Sequence, residues 1–556
     1  MTERKHAFQF KFPLLASVIV AATLIAIVTE IFQGGKLLQS ITASENMLQM
    51  GIAVPVPESH EATPRKEQEI SEEISEESQE SKSETGSGNE NDDKSNENNF
   101  KSGDEEKPKP MNIILLYGDD WRHDSIGSAK ASIVRTPFFD WLANQGVKFV
   151  HNCVTTSVCW ISRATLYSGL YVSRHKSDYP HKALWYGGWN ETWPQLLKDS
   201  GYYLGHVGKW HFPVIKLVTD TFHHMDTYYG QHWYEDHGAK IHTTKKDERG
   251  ALAFLRKRPL DKPFMLSVCF FAPHSVDGTE EQYFPQDESM SLYENETIEV
   301  PVSATEEAYK KLPYFFNGMN EARRRWTHRF DTPEKHQLMM KNYFRLITEI
   351  DRTSEAIYKE LEAQGAVDNT MIIFTTDNGL FHSEHQLAGK WFPHQESIRV
   401  PLIIKDPRIP KDKVGTINED FTLNIDLAST ILGAAGIKQP SVMQGRDISD
   451  LYLKPNPKWR EEFFYEHPVH LESKIIPAST ALVRKNYKFM TWPDFNVEQL
   501  FNLEADPYEL ADIVNGRGLE GLVSEMRIRH DELRQAALEP GPIDENGERM
   551  RQSITN

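Results

Sequence analysis

Two apolar, strand-like runs in this chain each end in a pair of oxygen-bearing side chains. The run NIILLY leads through one glycine to Asp119 and Asp120, and the run MIIFTT leads directly to Asp377 and Asn378. The pairs lie 258 positions apart (377 minus 119), so only the tertiary fold can bring them together. Ligands of parallel α/β sheets bind outside the carboxyl ends of the strands. Four oxygen donors at two such ends predict a site for a hard divalent cation.

The chain after its acidic N-terminal part alternates between strand-like and helix-like segments. Further strands are predicted over residues 204–208 and 264–272, and a long amphipathic helix over residues 336–364. This order predicts an α/β fold with a mostly parallel central sheet and helices on both faces. Short strands and turns follow from about residue 436, with a late helix over residues 519–537. They predict a smaller C-terminal α+β subdomain.

The N-terminal fifth of the chain differs in composition from the rest. Residues 58–106 hold 17 Asp or Glu and 5 Lys or Arg, a net charge of −12 (5 minus 17) out of −19 for the whole chain. Such a segment buries too little apolar surface to offset the entropy of ordering, so we predict a disordered acidic tether. The predicted organisation is a cytoplasmic N-terminus (1–12), a membrane anchor or signal segment (13–32), the tether (33–109), a catalytic domain (110–435) and a C-terminal subdomain (436–556).

Residues 13–32 form an apolar run that follows Arg4, Lys5 and Lys11. Basic residues on the near side of such a run keep the N-terminus in the cytoplasm and place the following chain on the other side of the membrane. The length is near the lower limit for a spanning helix, and no small-x-small cleavage site follows at the usual distance. We therefore predict an uncleaved anchor, with a cleaved signal peptide as the alternative. Both interpretations place the catalytic domain outside the cytoplasm, in the cell envelope, the periplasm or the extracellular space.

Three cysteines are too few for a disulfide framework, and one of them has chemically suggestive neighbours. Cys159 is followed by Ser162 and Arg163, which makes it a candidate nucleophile located between the two predicted metal-binding pairs. Cys153 and Cys269 are interpreted as ordinary core thiols.

At these motifs the chain resembles the sulfatase family, over roughly residues 111–515. The family signature begins with Cys or Ser, any residue, Pro or Ala, Ser and Arg, and continues with Leu and a Thr/Ser-Gly pair at fixed offsets. The matching residues are Cys159, Trp160, Ile161, Ser162, Arg163, Leu166, Ser168 and Gly169. The segment Gly208-Lys209-Trp210-His211 is similar to the second signature. The resemblance implies an alkaline-phosphatase-like fold and the activity of a sulfuric ester hydrolase.

The resemblance also implies a metal ion and a modified cysteine. Asp119, Asp120, Asp377 and Asn378 would bind the ion together with residue 159, and we expect calcium, with magnesium as the alternative. The carboxamide of Asn378 favours a hard ion with oxygen ligands over zinc. In this family the cysteine that corresponds to Cys159 is converted to formylglycine (3-oxoalanine). Its hydrated aldehyde attacks sulfur and forms a covalent sulfated intermediate.

The remaining roles follow from the resemblance residue by residue. Arg163 would steady the hydrated aldehyde beside the metal, and Lys209 would bridge the nucleophile and the sulfate. His211 would be the base that triggers release of the sulfate. His274 and Lys390 would hold the sulfate and assist the leaving oxygen as general acids.

One position departs from the family pattern, because residue 161 is Ile where the pattern has Pro or Ala. Maturation enzymes read this short segment, so the modification of Cys159 is itself a prediction. An unmodified thiol would leave a catalytically silent, glycan-binding protein on the same fold. A second alternative is hydrolysis of phosphate monoesters or diesters, since the wider superfamily acts on both anions.

The expected substrate is a sulfated polysaccharide or oligosaccharide, which suits an exported and tethered enzyme. This acidic chain also contains a basic cluster, here called the arginine cluster, which consists of Arg323, Arg324, Arg325 and Arg329, with Trp326 beside them. We interpret it as a contact for further anionic groups of the substrate, with a solvated helix face as the alternative. The formylglycine-generating maturation enzyme and the membrane are the other expected partners. No nucleic-acid partner is expected, and the oligomeric state is left open.

Overall fold

The structure, a computed structural model, describes residues 110–541 with gaps at 130–131, 179–187, 213–215, 229, 237 and 469. The anchor predicted over residues 13–32 and the tether predicted over residues 33–109 lie outside the described residues. Within the described part of the chain, no helix is both long enough and apolar enough to cross a membrane. The domain boundary at residues 435 and 436 stays a prediction.

The described residues form sixteen strands in one large sheet and three smaller ones. In chain order the strands are β1 (Asn112–Gly118), β2 (Val147–Cys153), β3 (Tyr203–Lys209), β4 (His224–Tyr228), β5 (Trp233–Asp236), β6 (Ala239–His242), β7 (Phe264–Cys269), β8 (Thr370–Thr376), β9 (Phe381–His382), β10 (Ala388–Gly389), β11 (Leu402–Lys405), β12 (Thr416–Leu423), β13 (Glu462–His467), β14 (Ser479–Arg484), β15 (Tyr487–Trp492) and β16 (Val497–Asn502).

Thirteen α-helices occur among the described residues. In chain order they are α1 (Pro137–Asn144), α2 (Cys159–Ser168), α3 (Val172–His175), α4 (Trp193–Asp199), α5 (Lys216–Thr221), α6 (Thr243–Lys257), α7 (Glu306–Lys310), α8 (Glu321–Arg329), α9 (Pro333–Ala363), α10 (Gln395–Ile398), α11 (Asp426–Ala434), α12 (Asp450–Leu453) and α13 (Glu520–Ala537). Short 3-10 turns cover Trp189–Glu191, Asp287–Ser289, Val367–Asn369, Glu384–Gln386 and Pro493–Phe495.

The large sheet has eight strands in the order β12-β2-β11-β8-β1-β7-β3-β4. All neighbouring strands are parallel except β11, which is antiparallel to both β2 and β8. Parallel neighbours need a connection that crosses back over the sheet. The chain between β8 and β11 stays at the carboxyl end of β8 instead, so β11 runs back the other way. The predicted mostly parallel sheet is confirmed, with this one exception.

The two faces of the large sheet pack against different helices. Side chains alternate along β1, so Ile114 and Leu116 belong to a buried cluster with α1, α6 and α9. Ile113 and Leu115 point to the other face and belong to a cluster with α2, α4 and α11. Burial on both faces explains why the strands appear in the sequence as continuous apolar runs. The prediction of helices on both faces is confirmed.

The long helix α9 begins three residues before the predicted start. The Thr332 side chain accepts a hydrogen bond from the Lys335 backbone N–H (3.3 Å), and Pro333 occupies the first turn, where no N–H is needed. The helix also supports the loop after β1, because the Tyr343 hydroxyl donates to the Asp120 carbonyl at 2.9 Å. The longest helix of the described chain therefore contacts the predicted metal-binding loop.

Strand β7 ends three residues earlier than predicted, at Cys269. Beyond it the Phe271 backbone N–H donates to the Tyr228 hydroxyl at 3.3 Å instead of to a neighbouring strand. The chain therefore leaves the sheet before the predicted end and begins the loop that carries His274.

The C-terminal subdomain is an antiparallel sheet in the order β13-β14-β15-β16, with α13 packed on it. Its apolar residues form one buried cluster with the start of α2. Ile161 of that helix shares the cluster with Phe463 and Tyr465 of β13. The predicted α+β subdomain is confirmed, and it packs against the segment that carries Cys159.

Candidate active site

The ten predicted site residues converge at the carboxyl edge of the large sheet: Asp119, Asp120, Cys159, Arg163, Lys209, His211, His274, Asp377, Asn378 and Lys390. Strand order explains the convergence, because β8, β1, β7 and β3 are consecutive neighbours. The pairs after β1 and β8 are adjacent because Gly118 and Thr376 are register partners. Lys390 lies further along the loop after β8, and the remaining groups lie at or after the ends of β3, β7 and β2, which run in the same direction.

The two metal-binding pairs are hydrogen-bonded to each other. The Asp120 backbone N–H donates to Asp377 Oδ1 at 3.1 Å, and Asn378 Nδ2 donates to Asp120 Oδ1 at 2.6 Å. One carboxylate oxygen from each of Asp119, Asp120 and Asp377 lies within 4.8 Å of the others. Three buried carboxylates this close repel one another unless cations lie between them.

The oxygen atoms at this centre fit a hard divalent cation. Asp119 Oδ1 and Asn378 Oδ1 are buried, and no described residue donates a hydrogen bond to either atom. Asn378 Nδ2 is already engaged with Asp120 and with the Gly379 carbonyl (2.8 Å), which leaves only the amide oxygen for a ligand. A buried oxygen without a donor is costly, and coordination to Ca²⁺ or Mg²⁺ would remove that cost.

Cys159 is the first residue of α2 and lies beside this centre. Its sulfur belongs to a second close group with Asp119 and His274, whose ligand atoms also lie within 4.8 Å of one another. The first turn of the helix is held in place by Asn424, whose Nδ2 donates to the Ser162 hydroxyl at 2.8 Å. The N-terminal end of a helix favours negative charge, so a thiolate or other anion at residue 159 is stabilised there.

Three cations surround the carboxylates. Arg163 Nε donates to Asp377 Oδ2 at 3.1 Å, and its Nη1 donates to the Lys209 carbonyl at 3.0 Å. Lys209 forms a buried ion pair with Asp119, and Lys390 forms one with Asp120. The site is therefore an alternating set of buried positive and negative charges.

The two histidines have different environments. His274 Nδ1 lies 2.6 Å from the Ser275 carbonyl, so this nitrogen carries a proton that it donates, and Nε2 lies 3.5 Å from Asp120 Oδ2. Burial lowers the pKa of His274, but Asp120, Asp119 and the Cys159 side chain together outweigh burial, so the pKa is raised. Burial lowers the pKa of His211 to about 4. The raised pKa favours the protonated form of His274, and the lowered pKa favours the neutral form of His211.

Cys159 is chemically distinct from the two other cysteines. Burial alone would raise the pKa of its thiol, but the Lys390 and Lys209 amines and a hydrogen bond with His211 hold that pKa well below its ordinary range. Burial raises the pKa of Cys153 to about 12 and that of Cys269 to about 11. The prediction that Cys153 and Cys269 are core thiols is confirmed by their burial.

Two contributors to the site were missed by the sequence reasoning. Arg122 follows the first metal-binding pair closely and forms ion pairs with Asp124 and Glu384, which tie the loop after β1 to the chain before Lys390. His470, from the C-terminal subdomain, has its ring centroid 5.0 Å from that of Trp160. Proximity to Asp120 was a signal for Arg122, whereas no local pattern points to His470.

The arginine cluster lies on α8, beside the site, but most of its charge is already paired. Arg325 pairs with Glu321 and Asp277, and Arg329 pairs with Asp277. Arg324 is the exposed member: its side chain is 70% exposed, against 18% for Arg325 and 1% for Arg329. The cluster is thus neither a free anion-binding surface nor a solvated helix face.

Comparison with known proteins gives the same picture at the level of the family. The family model described as Sulfatase matches residues 111–437, and the model described as N-sulphoglucosamine sulphohydrolase, C-terminal, matches residues 383–536. An N-acetylglucosamine-6-O-sulfatase of Bacteroides thetaiotaomicron is 24% identical over 476 residues, which cover 73% of this chain and 83% of that protein.

Solved structures with the same fold include a protein in complex with its substrate D-glucosamine-2-N,6-O-disulfate. It has a TM-score of 0.66 and 22% identity, and the match covers 77% of this chain and 98% of the other. A phosphonate monoester hydrolase from Silicibacter pomeroyi has a TM-score of 0.65 and 18% identity, with 76% and 95% covered. Both structures support the alkaline-phosphatase-like fold.

Proposed function

Because this chain belongs to the sulfatase family and is a sulfuric ester hydrolase, we propose that it removes sulfate from sulfated oligosaccharides or polysaccharides. The relative from Bacteroides thetaiotaomicron is named as a sulfatase of N-acetylglucosamine, and one structural neighbour holds a disulfated glucosamine. Both names support a carbohydrate as the carrier of the sulfate.

The observation that carries the proposal is the position of Cys159 between metal-binding carboxylates and cations. Its sulfur lies 3.5 Å from Lys390 Nζ and within 4.8 Å of an oxygen of Asp119. We propose that Cys159 is converted to formylglycine and that Asp119, Asp120, Asp377 and Asn378 bind calcium, or magnesium in its place, beside it. The hydrated aldehyde would supply one hydroxyl that attacks sulfur and a second that allows the sulfate to leave, and the divalent ion would neutralise sulfate oxygens.

The cations of the chain would bind and orient the sulfate. Lys209 and Lys390 each point a charged amine into the site, and a sulfate oxygen would take over part of their present pairing with Asp119 and Asp120. Arg163 is held on two sides, by Asp377 and by the Lys209 carbonyl, so it fixes the position of Lys209 as well as its own. Preorganised donors of this kind stabilise charge that develops in the transition state.

Proton transfer would be divided between the two sides of residue 159. His211 interacts with the Cys159 side chain and is neutral, so it can accept a proton from a hydroxyl on residue 159. Lys390 and His274, whose pKa values are both raised, lie on the Asp120 side, where they can donate a proton to the leaving oxygen. Their shared contact with Asp120 keeps both donors at one place.

The departure at Ile161 concerns maturation rather than the geometry of the site. The Ile161 side chain is 1% exposed and lies in the core cluster that includes Phe463. We therefore propose that a formylglycine-generating enzyme accepts this sequence. The alternative of a silent glycan-binding protein predicts an unmodified thiol.

Two measurements on protein purified from its own host test the proposal. Mass spectrometry of the peptide that contains residue 159 should show the mass of an aldehyde in place of the thiol. Release of sulfate and of phosphate from matched aryl esters should show sulfate as the preferred product, and Cys159→Ala should abolish the release. An unmodified thiol would support the glycan-binding alternative, and dominant phosphate release would support the phosphatase alternative.

We also propose that residues 1–32 export the catalytic domain and hold it at the membrane. The support is the apolar run at residues 13–32 with Arg4, Lys5 and Lys11 before it. Protease added to intact cells, or to spheroplasts with a closed cytoplasmic membrane, should cut the tether and release an active domain. Release only after lysis would contradict this location.

A further inference from the structure

The loop that carries Lys390 has an unusual backbone and needs support from outside. We call residues 381–391 the Lys390 segment. Four of its non-glycine residues have a positive φ, namely Ser383 (98°), His385 (53°), Gln386 (54°) and Trp391 (85°). Side chains disfavour this conformation, and such residues persist only where the surroundings hold them in place.

Part of that support comes from two side chains of α8. Arg323 Nη1 donates to the Gln386 carbonyl at 3.2 Å and to Gln386 Oε1 at 2.8 Å. Trp326 Nε1 donates to the Ser383 hydroxyl at 2.8 Å. Two of the residues with a positive φ are therefore each bonded to α8.

The arrangement of Arg323 is itself fixed by aromatic neighbours. Its guanidinium carbon lies 3.8 Å from the ring centroid of Tyr309 and 4.2 Å from that of Trp326. A planar guanidinium between two rings loses little freedom when it donates hydrogen bonds, and a flexible ammonium would lose more. Arg323 is thus a preorganised donor aimed at Gln386.

The same helix contacts the last residues of the Lys390 segment. The Arg325 guanidinium carbon lies 5.0 Å from the ring centroid of Trp391, the residue that follows Lys390. The backbone of Trp391 is fixed on its other side, because its N–H donates to the Ser157 carbonyl at 3.2 Å and its carbonyl accepts from the Tyr465 hydroxyl at 2.6 Å. Lys390 thus lies between a contact with α8 and the chain that leads to Cys159.

Helix α8 also holds the loop after β7. We call residues 273–279 the His274 loop. Arg329 Nη2 donates to the Ser275 hydroxyl at 2.8 Å and to Asp277 Oδ1 at 3.0 Å. Arg325 Nη2 donates to Asp277 Oδ2 at 2.9 Å. The Ser275 carbonyl accepts the hydrogen bond from His274 Nδ1. The bonds from α8 therefore hold the residue that orients the His274 ring.

From these contacts we propose that α8 positions both proton donors of the leaving-group side, Lys390 and His274, and that the arginine cluster serves this purpose instead of binding distant anionic groups of the substrate. Arg323 and Trp326 hold the Lys390 segment, and Arg325 and Arg329 hold the His274 loop. These are positioning residues, since their contacts are to the loops. The inference rests on the proposed function, because it takes both donors to act on the leaving oxygen.

The role of α8 can be tested with leaving groups of different basicity. A poor leaving group needs a proton from the enzyme and a good one does not, so a displaced acid slows poor leaving groups more. In Arg323→Met we expect kcat to fall about tenfold or more for phenyl sulfate, whose leaving group is poor, and less than about threefold for 4-nitrophenyl sulfate, whose leaving group is good. The expected loss for phenyl sulfate is part of the rate that general acid catalysis supplies. KM should change little for either ester.

Two further variants keep the test independent of folding. Trp326→Phe keeps the aromatic surface and removes only the donor to Ser383, so it should show the same selective loss in smaller measure. Arg323→Lys keeps a charge that reaches Gln386 and should restore part of the rate for phenyl sulfate. Arg324→Met is the matched control on the same helix, because the Arg324 side chain is exposed and bonds to no described residue except Glu321; it should match the wild type.

The outcomes separate this inference from the proposed function. An equal loss for both aryl esters, or a loss confined to a sulfated polymer, would overturn the positioning role. If the wild type releases no sulfate at all, the proposed function fails. Crystal structures of the wild type and of Arg323→Met would then still show whether Arg323 holds Lys390 in place. The inference expects Lys390 Nζ to move about 1 Å or more from residue 159, enough to matter for proton transfer; an unmoved Lys390 would contradict it.

Discussion

Lys390 Nζ lies 3.5 Å from the sulfur of Cys159, although 231 positions separate the two residues in the chain. The contact joins the loop after β8 to the start of α2, two segments that come from different strands of the large sheet. It places a permanent cation beside the residue proposed to act as nucleophile. The same amine contacts Asp120, so one lysine links the proposed nucleophile to the carboxylates proposed to bind metal.

Replacing this lysine should remove a proton donor as well as a charge. For Lys390→Met we expect kcat with phenyl sulfate to fall about 10²-fold to 10⁴-fold, the usual contribution of general acid–base catalysis. The loss should be smaller for 4-nitrophenyl sulfate, which needs no proton. Lys335→Met is the control, since Lys335 is exposed and pairs with Asp331. Equal losses for both esters would show that Lys390 only binds sulfate.

Asn378→Ala should weaken metal binding without unfolding the site. The variant removes the buried Asn378 amide oxygen, to which no described residue donates, and it also removes the hydrogen bond to Asp120. We expect the apparent dissociation constant for Ca²⁺ to rise at least about tenfold, as for lost groups that support a metal site. Titration of chelated protein with Ca²⁺, followed by thermal unfolding and by sulfate release, measures this. Asn369→Ala, which removes an amide that donates to the Pro110 carbonyl, should titrate as the wild type.

The buried ion pair between Arg460 and Asp426 should contribute more to stability than the exposed pair between Arg527 and Glu498. Arg460 Nη2 donates to Asp426 Oδ1 at 2.7 Å in a buried setting, and Asp426 also accepts from the Leu423 backbone N–H at 2.8 Å. Removing one partner leaves a buried charge, so Arg460→Met should lower the free energy of unfolding by about 3–5 kcal/mol. Arg527→Met breaks an exposed pair with Glu498 and should cost less than about 1 kcal/mol. Urea unfolding of both variants gives the comparison, and similar values would refute it.

His175 should make the protein less stable in acid. Its ring is buried and satisfied as the neutral form, because Nδ1 accepts from the Ser177 backbone N–H at 3.0 Å and Nε2 lies 3.1 Å from the Thr165 hydroxyl. Burial lowers the pKa of His175 to about 3, below the unfolded value of about 6.5. The folded state then binds fewer protons than the unfolded state between these values. Its contribution is therefore complete above about pH 6.5 and is lost as the pH falls toward 3.

The measurement is the change in unfolding free energy between about pH 7.5 and about pH 5. The wild type should lose about 2 kcal/mol more over this interval than His175→Gln, since 1.5 units of pKa correspond to that energy. Using the difference between two pH values cancels any constant cost of the substitution. His328→Gln, at an exposed position of α8, should keep the acid sensitivity of the wild type. An equal loss in His175→Gln would contradict the argument.

The metal-binding pairs were predictable from the sequence because each follows an apolar run, whereas Lys390 and the other cations were predicted from the resemblance to the sulfatase family. Asp119 and Asp377 come directly after buried strands and Lys209 ends one, and parallel strands deliver such residues to one edge. The direction of β11 was not predictable in this way, because four residues of apolar strand contain no sign of parallel or antiparallel pairing. Its direction follows from the path of the loop after β8, which is a tertiary feature.

The arginine cluster shows a different limit of sequence reasoning. Four arginines on one short segment indicate a basic surface, and only the fold reveals that their partners are Gln386, Asp277 and Glu321. Two of these partners come from loops more than 40 residues away along the chain, and one lies on the same helix. A count of charges along the sequence treats the cluster as free, because it cannot register acceptors supplied by tertiary contacts.

The most direct test of the whole account is a crystal structure of the protein purified from its own host. The account predicts the two hydroxyls of a hydrated aldehyde at residue 159, with a calcium-type ion bound by Asp119, Asp120, Asp377 and Asn378 beside it. A plain thiol at residue 159 with no ion between these four side chains would contradict it.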